Sequence, residues 1–391
     1  MRILFSSRPA FGHVYPLMPL AGAMRAAGHE VHVATTGDFL PRLRALGYPT
    51  HDVGLPIEHG IDQMMRALPG DGMPKDDDDR PDLVYGAILF LDILGRRTAA
   101  DLVPVLREVA PDAVVYEQYE FGAAIAAHAL GIPAICHSLS PRMSDEVVGM
   151  LAAGRLERLW DEHGVQDTDF DPFTGDRYLD IFPTALQPPS FLDDPARMRM
   201  RPVPFAEPGA TLPGWVGTRG RPLVYLTLGT VVATDEVLAP AVAGLGRLDA
   251  DVLLALGSAD GVELGTLPAN VHVEPFVDQA ALMPLVDLVV HHGGSGTLLA
   301  ALAHAVPQLL LPKGADQFNN TDLMTEAGLA PVLEPAQATP DAVAALAAAT
   351  LAERPPVLAA VRAEIAALPH PAEVVEPLLT AAASHPVSAL R

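Results

Sequence analysis

Two α/β domains, each a parallel sheet covered by helices, are what this sequence predicts, and three observations predict it. Short β-branched, apolar segments alternate with longer Ala- and Leu-rich ones, the pattern of strand and helix in turn. The alternation breaks off in a stretch dense in Pro and Gly at 201–222, RPVPFAEPGATLPGWVGTRGRP, and then restarts. With 391 residues, half of them hydrophobic, the chain exceeds one ordinary core and can fill two, at roughly 100–200 residues per domain.

Taken in order, Arg2 to Ser6 reads as the first strand, and a helix is expected after Pro16, over Leu17 to Ala27. Val31 to Ala34, Ala113 to Tyr116 and Ala134 to Ser138 read as further strands, with a helix over Gly122 to Ala129. The run DGMPKDDDDR at 71–80 reads as a solvated acidic surface loop rather than a metal site. After the break, strands are expected at Leu223 to Thr227, Val252 to Leu256, Val271 to Val273, Leu288 to Val290 and Gln308 to Leu311. The expected boundaries are an N-terminal domain at 1–205, a linker at 206–222, a second domain at 223–369, and a C-terminal helix at 370–391 packing back across the hinge. No short tandem repeat is present, which argues against a solenoid.

Composition narrows the function. The formal net charge of −23 repels nucleic acid and anionic membranes, so neither is an expected partner. A single cysteine, Cys136, excludes an internal disulfide framework and a thiolate-rich metal site. No apolar run is long enough for a signal peptide or a membrane span, so a soluble cytoplasmic protein is expected. An anionic ligand would need a locally electropositive site.

Residues 284–320 offer one. The buried strand Leu288-Val289-Val290 leads through His291, His292 and Gly293-Gly294-Ser295-Gly296-Thr297 into a helix over Thr297 to Ala305. A glycine-rich turn feeding a helix N-terminus presents unpaired N–H groups and the positive end of a dipole, which suits a phosphate. Ser295 and Thr297 add hydroxyls and His292 a ring donor; adjacent His291 points to the opposite face and reads as structural. Asp316 and Gln317, after the next strand, suit vicinal sugar hydroxyls, or equally an Asx-turn or helix cap. Leu228-Gly229-Thr230 ends another strand and is either site-facing or an ordinary tight turn. Phe276, followed by Val277, could cover a flat base, although composition alone favours core. The loop lacks the lysine and spacing of a Walker P-loop and does not match G-x-G-x-x-G.

In the first half, the strand Arg2 to Ser6 runs into Ser7-Arg8-Pro9-Ala10-Phe11-Gly12-His13. Ligands of open α/β sheets sit outside the carboxyl ends of strands, so His13 is a candidate base, against the alternative of a packed cap. Glu117, at the carboxyl end of another strand, could hold its second nitrogen; Glu120 is expected to face solvent or a substrate hydroxyl. The acid-x-acid triplets Asp167-Thr168-Asp169 and Asp169-Phe170-Asp171 read as a solvated loop.

Together these elements resemble the nucleotide-sugar glycosyltransferases of the GT-B fold, most of all the actinobacterial branch that transfers deoxysugars to antibiotic scaffolds. The resemblance rests on MRILFSSRPAFGHVYPLMPLAGAMRAAGHEVHVAT at 1–35 and VEPFVDQAALMPLVDLVVHHGGSGTLLAALAHAVPQLLLPKGADQFNN at 273–320. It implies two Rossmann-like domains facing a central cleft, and metal-independent, inverting transfer of a hexose from a dTDP-sugar, with a UDP-sugar second, to a hydroxyl of a hydrophobic small-molecule acceptor. No cofactor is implied; a homodimer is compatible with it. His13 would be the general base and Glu117 its partner, standing where the family often has Asp. His292, Gly294, Ser295, Gly296, Thr297 and Thr230 would hold the diphosphate, Phe276 and Val277 the base, and Asp316 and Gln317 the sugar. The acceptor would lie over the loops at 60–92 and 143–173, with Met64, Met65, Met73, Met143, Met150 and Trp160 as an apolar lining or as helix core. A nucleotide-sugar epimerase and a glycosyltransferase-like helper protein are the alternatives on the same fold.

Overall fold

The computed structural model describes all residues except 69–82, 166–169, 210, 219, 230–234, 258–265, 315 and 385–391. The acidic run at 71–80, Met73, Asp167 to Asp169 and Thr230 lie outside the described residues. The chain divides into two compact units: Met1–Phe182, Gln187–Arg201 and the chain from Leu368 onward form the first, and Pro183–Leu186 with Pro202–Ala367 the second.

The first unit holds seven parallel strands, β1 (Arg2–Ser6), β2 (Glu30–Thr35), β3 (Thr50–Asp52), β4 (Ala113–Glu117), β5 (Ala134–His137), β6 (Arg177–Asp180) and β7 (Arg197–Arg199), in the order β3-β2-β1-β4-β5-β6-β7. Phe5 of β1 stands in register with Val33 of β2 and Val115 of β4. Central strands covered on both faces need continuous apolar runs, and Ile3, Leu4 and Phe5 are each fully buried, a gain of about 1.5–3 kcal/mol per side chain. Sequence reading misses β3, β6 and β7, because THD, RYLD and RMR are short and polar, the composition of strands near a sheet edge.

One boundary is corrected by the structure. The first helix runs Phe11–Ala26 and contains Pro16 and Pro19, rather than starting after Pro16. Each interior proline costs about 3 kcal/mol in lost hydrogen bonding and crowding. Val14, Leu17, Met18, Leu20, Ala21 and Met24 are buried on the same helix, and at about 1.5–3 kcal/mol for each large side chain they outweigh that cost. His13 therefore stands in the first turn of a helix, not in a loop. The C-terminal helix Pro371–Ala383 packs against this first helix.

The second unit holds β8 (Leu223–Thr227), β9 (Asp251–Ala255), β10 (Val271–Glu274), β11 (Leu288–His291) and β12 (Gln308–Leu310), all parallel in the order β10-β9-β8-β11-β12. Part of the Pro- and Gly-rich stretch is ordered on this unit: Val216 is fully buried, and Trp215 stacks on His272 with ring centroids 4.2 Å apart. No single helix among the described residues is long and apolar enough to cross a membrane.

Candidate active site

In the first unit, β4 delivers Glu117 opposite the first turn of the helix Phe11–Ala26. His13 Nδ1 lies 2.9 Å from Glu117 Oε1, and the Tyr119 N–H donates to Glu117 Oε2 at 2.7 Å. Glu117 is wholly buried, while about 20% of the His13 side chain stays exposed. Burial pushes the Glu117 carboxyl up, but the opposed contributions of His13, Arg8 and the Tyr119 N–H bring it below its ordinary value. A buried carboxylate so held fixes Nδ1 as the protonated nitrogen and leaves Nε2 as the basic one.

Glu120 departs from expectation. It is 2% exposed and sits 3.2 Å from the buried Arg8 guanidinium, because the chain turns back at Glu117, whose carbonyl accepts from the Glu120 N–H at 2.7 Å. Burial, only partly offset by Arg8, pushes its carboxyl up to about 7.

Around His13 the ring surface is aromatic. Tyr119 lies 6.4 Å from the imidazole and 5.5 Å from Phe90, which belongs to a π-helical segment, Ile88–Gly95. The Tyr119 hydroxyl is fixed at 2.6 Å from Ser140 Oγ. Of the two readings open for the methionines, lining or helix core, most take the second. Met64 is buried with Leu89 and Leu94, and Met143 and Trp160 pack around Phe121 and Phe173, whereas Met150 is exposed. Sequence reading missed Phe90 and Tyr119, since lone aromatics carry no signal until the fold places them beside His13. Asp171 is a turn acceptor, taking the Phe173 N–H at 2.9 Å and the Thr174 hydroxyl at 3.1 Å. Among the described residues no group of three or more His, Cys, Asp or Glu could hold a metal ion.

In the second unit, β11 ends at His291 and the helix Ser295–Ala303 begins one glycine turn later. His291 is fully buried: Nδ1 accepts from the Gly293 N–H at 3.2 Å, and Nε2 therefore donates to Gln308 Oε1 at 2.8 Å. It is a neutral clamp on the glycine turn, with burial pushing it down to about 3. The His292 ring packs beneath two glycines. A Cβ on Gly294 would lie 2.4 Å from His292 Nε2, and one on Gly229, whose φ is +79°, 2.8 Å from it. His292 Nδ1 is buried with no partner, and burial pushes the ring down to about 4 against a backbone contact from Thr227. A neutral His292 offers a hydrogen-bond donor rather than a charge. The cation whose charge reaches it is Lys313, a residue that sequence reading passed over.

The remaining candidates divide. Ser295 Oγ, Asp316 Oδ2 and the Gly293 carbonyl all accept from Asn320 Nδ2, at 3.1, 3.2 and 3.0 Å. Asn320 thus ties the helix Gln317–Glu326 to the glycine turn, and its Oδ1 is buried without a partner. Its spacing, one helical turn after Asp316, is the signal that could have found it. Gln317 Oε1 accepts from the Lys313 and Gly314 N–H groups at 2.9 and 3.3 Å, so only its amide group remains to meet a hydroxyl. Thr297 is buried and already bonded to Gln279 Nε2 at 3.3 Å, so its hydroxyl is not directed to a phosphate as expected. Val277 is a core residue, 3% exposed, whereas Phe276 is 52% exposed and not core. Gly296 has nothing within 4 Å of where a Cβ would stand and opens the first turn of the helix.

Comparison with known proteins agrees with both halves. Residues 22–229 match the profile of the erythromycin biosynthesis protein CIII-like N-terminal domain, and 239–381 that of the C-terminal domain. The elloramycin glycosyltransferase ElmGT of Streptomyces olivaceus is 35% identical over 97% of this chain and 97% of its own length. The L-demethylnoviosyl transferase of Streptomyces niveus is 32% identical over 84% of each. Among solved structures, the glycosyltransferase SnogD of Streptomyces nogalater aligns with a TM-score of 0.76 at 30% identity, covering 98% of this chain and 99% of that one. The glycosyltransferase VinC, in complex with dTDP, aligns at 0.78 and 29%, covering 98% and 100%. The chain belongs to the erythromycin biosynthesis protein CIII-like family and is a natural-product glycosyltransferase of the antibiotic deoxysugar type, with the GT-B fold.

Proposed function

We propose that the chain transfers a deoxyhexose from a dTDP-sugar to a hydroxyl of a hydrophobic natural-product acceptor, inverting the anomeric centre without a metal ion. The observation that carries the reading is the 2.9 Å contact of His13 Nδ1 with the buried Glu117. His13 Nε2 takes the acceptor proton as the acceptor oxygen bonds to the anomeric carbon, the bond from that carbon to the diphosphate oxygen breaks, and dTDP leaves with the bonding pair. Glu117 stabilises the imidazolium as it forms.

Support for the donor comes from VinC, solved with dTDP, and from the glycine turn, where the helix N-terminus, the neutral His292 and Lys313 can receive a diphosphate. The exposed Phe276 suits the face of a thymine, with uracil the second choice. On the acceptor side, Tyr119, paired with Phe90, sets an aromatic surface near His13. The names of relatives, which include an aklavinone, a tylactone and a 10-deoxymethynolide glycosyltransferase, fit an antibiotic scaffold as acceptor.

The test is a transfer assay with dTDP-deoxyhexoses and a panel of hydroxylated antibiotic aglycones in the presence of EDTA, reading the anomeric configuration of the product by proton NMR. Transfer with inversion, undiminished by EDTA, is expected. Retention of configuration, or loss of activity restored by a divalent cation, would overturn the mechanism.

A further inference from the structure

Arg8 is among the largest fully buried side chains in the protein, at 1% exposed, and the transfer step does not use it. It lies between β1 and the helix that carries His13. Its Nη1 donates to Thr98 Oγ1 at 3.1 Å, its Nη2 donates to the Tyr119 carbonyl at 3.3 Å and stands 3.2 Å from Glu120 Oε1. The same guanidinium acts on Glu117, the carboxylate that holds His13. One cation therefore serves two buried carboxylates three residues apart. A lone surface pair would carry little coupling, but here all three groups are buried and their charges are screened far less.

We infer that Arg8 and Glu120 are positioning residues that set the basicity of His13 through Glu117, Glu120 by adding negative charge behind the imidazole and Arg8 by cancelling it. The inference rests on His13 as the base. Among the described residues, the other titratable groups whose charges interact with Glu117 include Cys136 and His137 on β5, both fully buried. Burial pushes the Cys136 thiol up and His137 down to about 4, so both are neutral near pH 7, and Thr98 carries no charge. The charge behind His13 is thus set by Arg8, Glu117 and Glu120. Because burial pushes the Glu120 carboxyl up to about 7, that charge changes near neutral pH.

The experiment follows the His13 ring resonances of the full chain by NMR against pH, assigned with His13→Gln, in wild type, Glu120→Gln, Arg8→Lys and Arg8→Met/Glu120→Gln. The pH dependence of kcat/KM is measured alongside. Wild type should show a second inflection from Glu120. Glu120→Gln, which keeps the side-chain shape, should remove that inflection and lower the His13 midpoint by about half a unit or more. Arg8→Lys should stay near wild type because the charge remains, and the double variant should move the midpoint back up. A Glu120→Gln titration superposing on that of wild type overturns the inference. If the His13 midpoint moves while the acid limb of kcat/KM stays fixed, the coupling stands and the reading of His13 as the base is what fails.

Discussion

At the scale of single residues, His13 and Glu117 stand in unequal environments, one side chain part exposed and the other sealed, as the proposed base and its partner require. Replacing His13 by Ala should lower turnover by a factor of ~10²–10⁴, the usual worth of a general base, and leave dTDP affinity within a few-fold. Turnover close to wild type would remove His13 from the mechanism. Glu117→Gln keeps the shape and the Tyr119 N–H partner but loses the charge, so it should reduce kcat with little change in donor affinity; steady-state kinetics at saturating donor would show this. His13, Glu117 and His292 were legible as candidates because each follows the carboxyl end of an apolar strand. Glu120, expected to face solvent or a substrate hydroxyl, is buried against Arg8 instead, since the tight turn between Glu117 and Glu120 cannot be read from residue types and Arg8 gives no sequence signal of burial.

At the scale of elements, the glycine turn after β11 folds against the His292 ring, and Gly294, which touches it, differs from Gly296, which does not. Gly294→Ala puts a methyl 2.4 Å from His292 Nε2 and should lower the thermal midpoint, whereas Gly296→Ala meets nothing within 4 Å and lies in a helix. Ala is favoured over Gly there by about 0.5–1 kcal/mol, so the Gly296 variant should melt at or slightly above wild type. Calorimetry on the pair decides it; equal effects would contradict the packing of His292 described above. The strand and helix alternation was readable wherever the run was apolar. It failed at β3, β6 and β7, whose polar residues are held by pairing with a neighbour rather than by their own pattern, and at Pro16, where tertiary burial overrides the local penalty.

At the scale of the whole molecule, buried titratable groups set the acid stability. His137, His291 and His292 are held down to about 4, about 3 and about 4, while Glu120 is held up to about 7. Between about pH 4.5 and 6.5 the unfolded chain takes up a proton at each of those three histidines that the native state refuses. The native state in turn keeps a proton on Glu120 that the unfolded chain releases. Each histidine, with its folded value depressed, contributes stability that is lost as pH falls; Glu120, with its value raised, contributes stability that is lost as pH rises toward 7. Unfolding thus absorbs about two protons net, and stability should fall by about 2–3 kcal/mol per pH unit on acidification through this window. Denaturant midpoints at several pH values measure that slope; a flat profile would mean the histidines are not buried neutral.

In the proposed function the two halves divide the work, donor held by the glycine turn and proton removed by His13. Binding isotherms of dTDP to wild type, His13→Ala and His292→Ala, with UDP and GDP as comparisons, test it most directly. Tight dTDP binding is expected, preserved in His13→Ala, weakened tenfold or more in His292→Ala, and stronger than binding of UDP or GDP. No dTDP binding to wild type, or a His292→Ala isotherm identical to it, would contradict the claim.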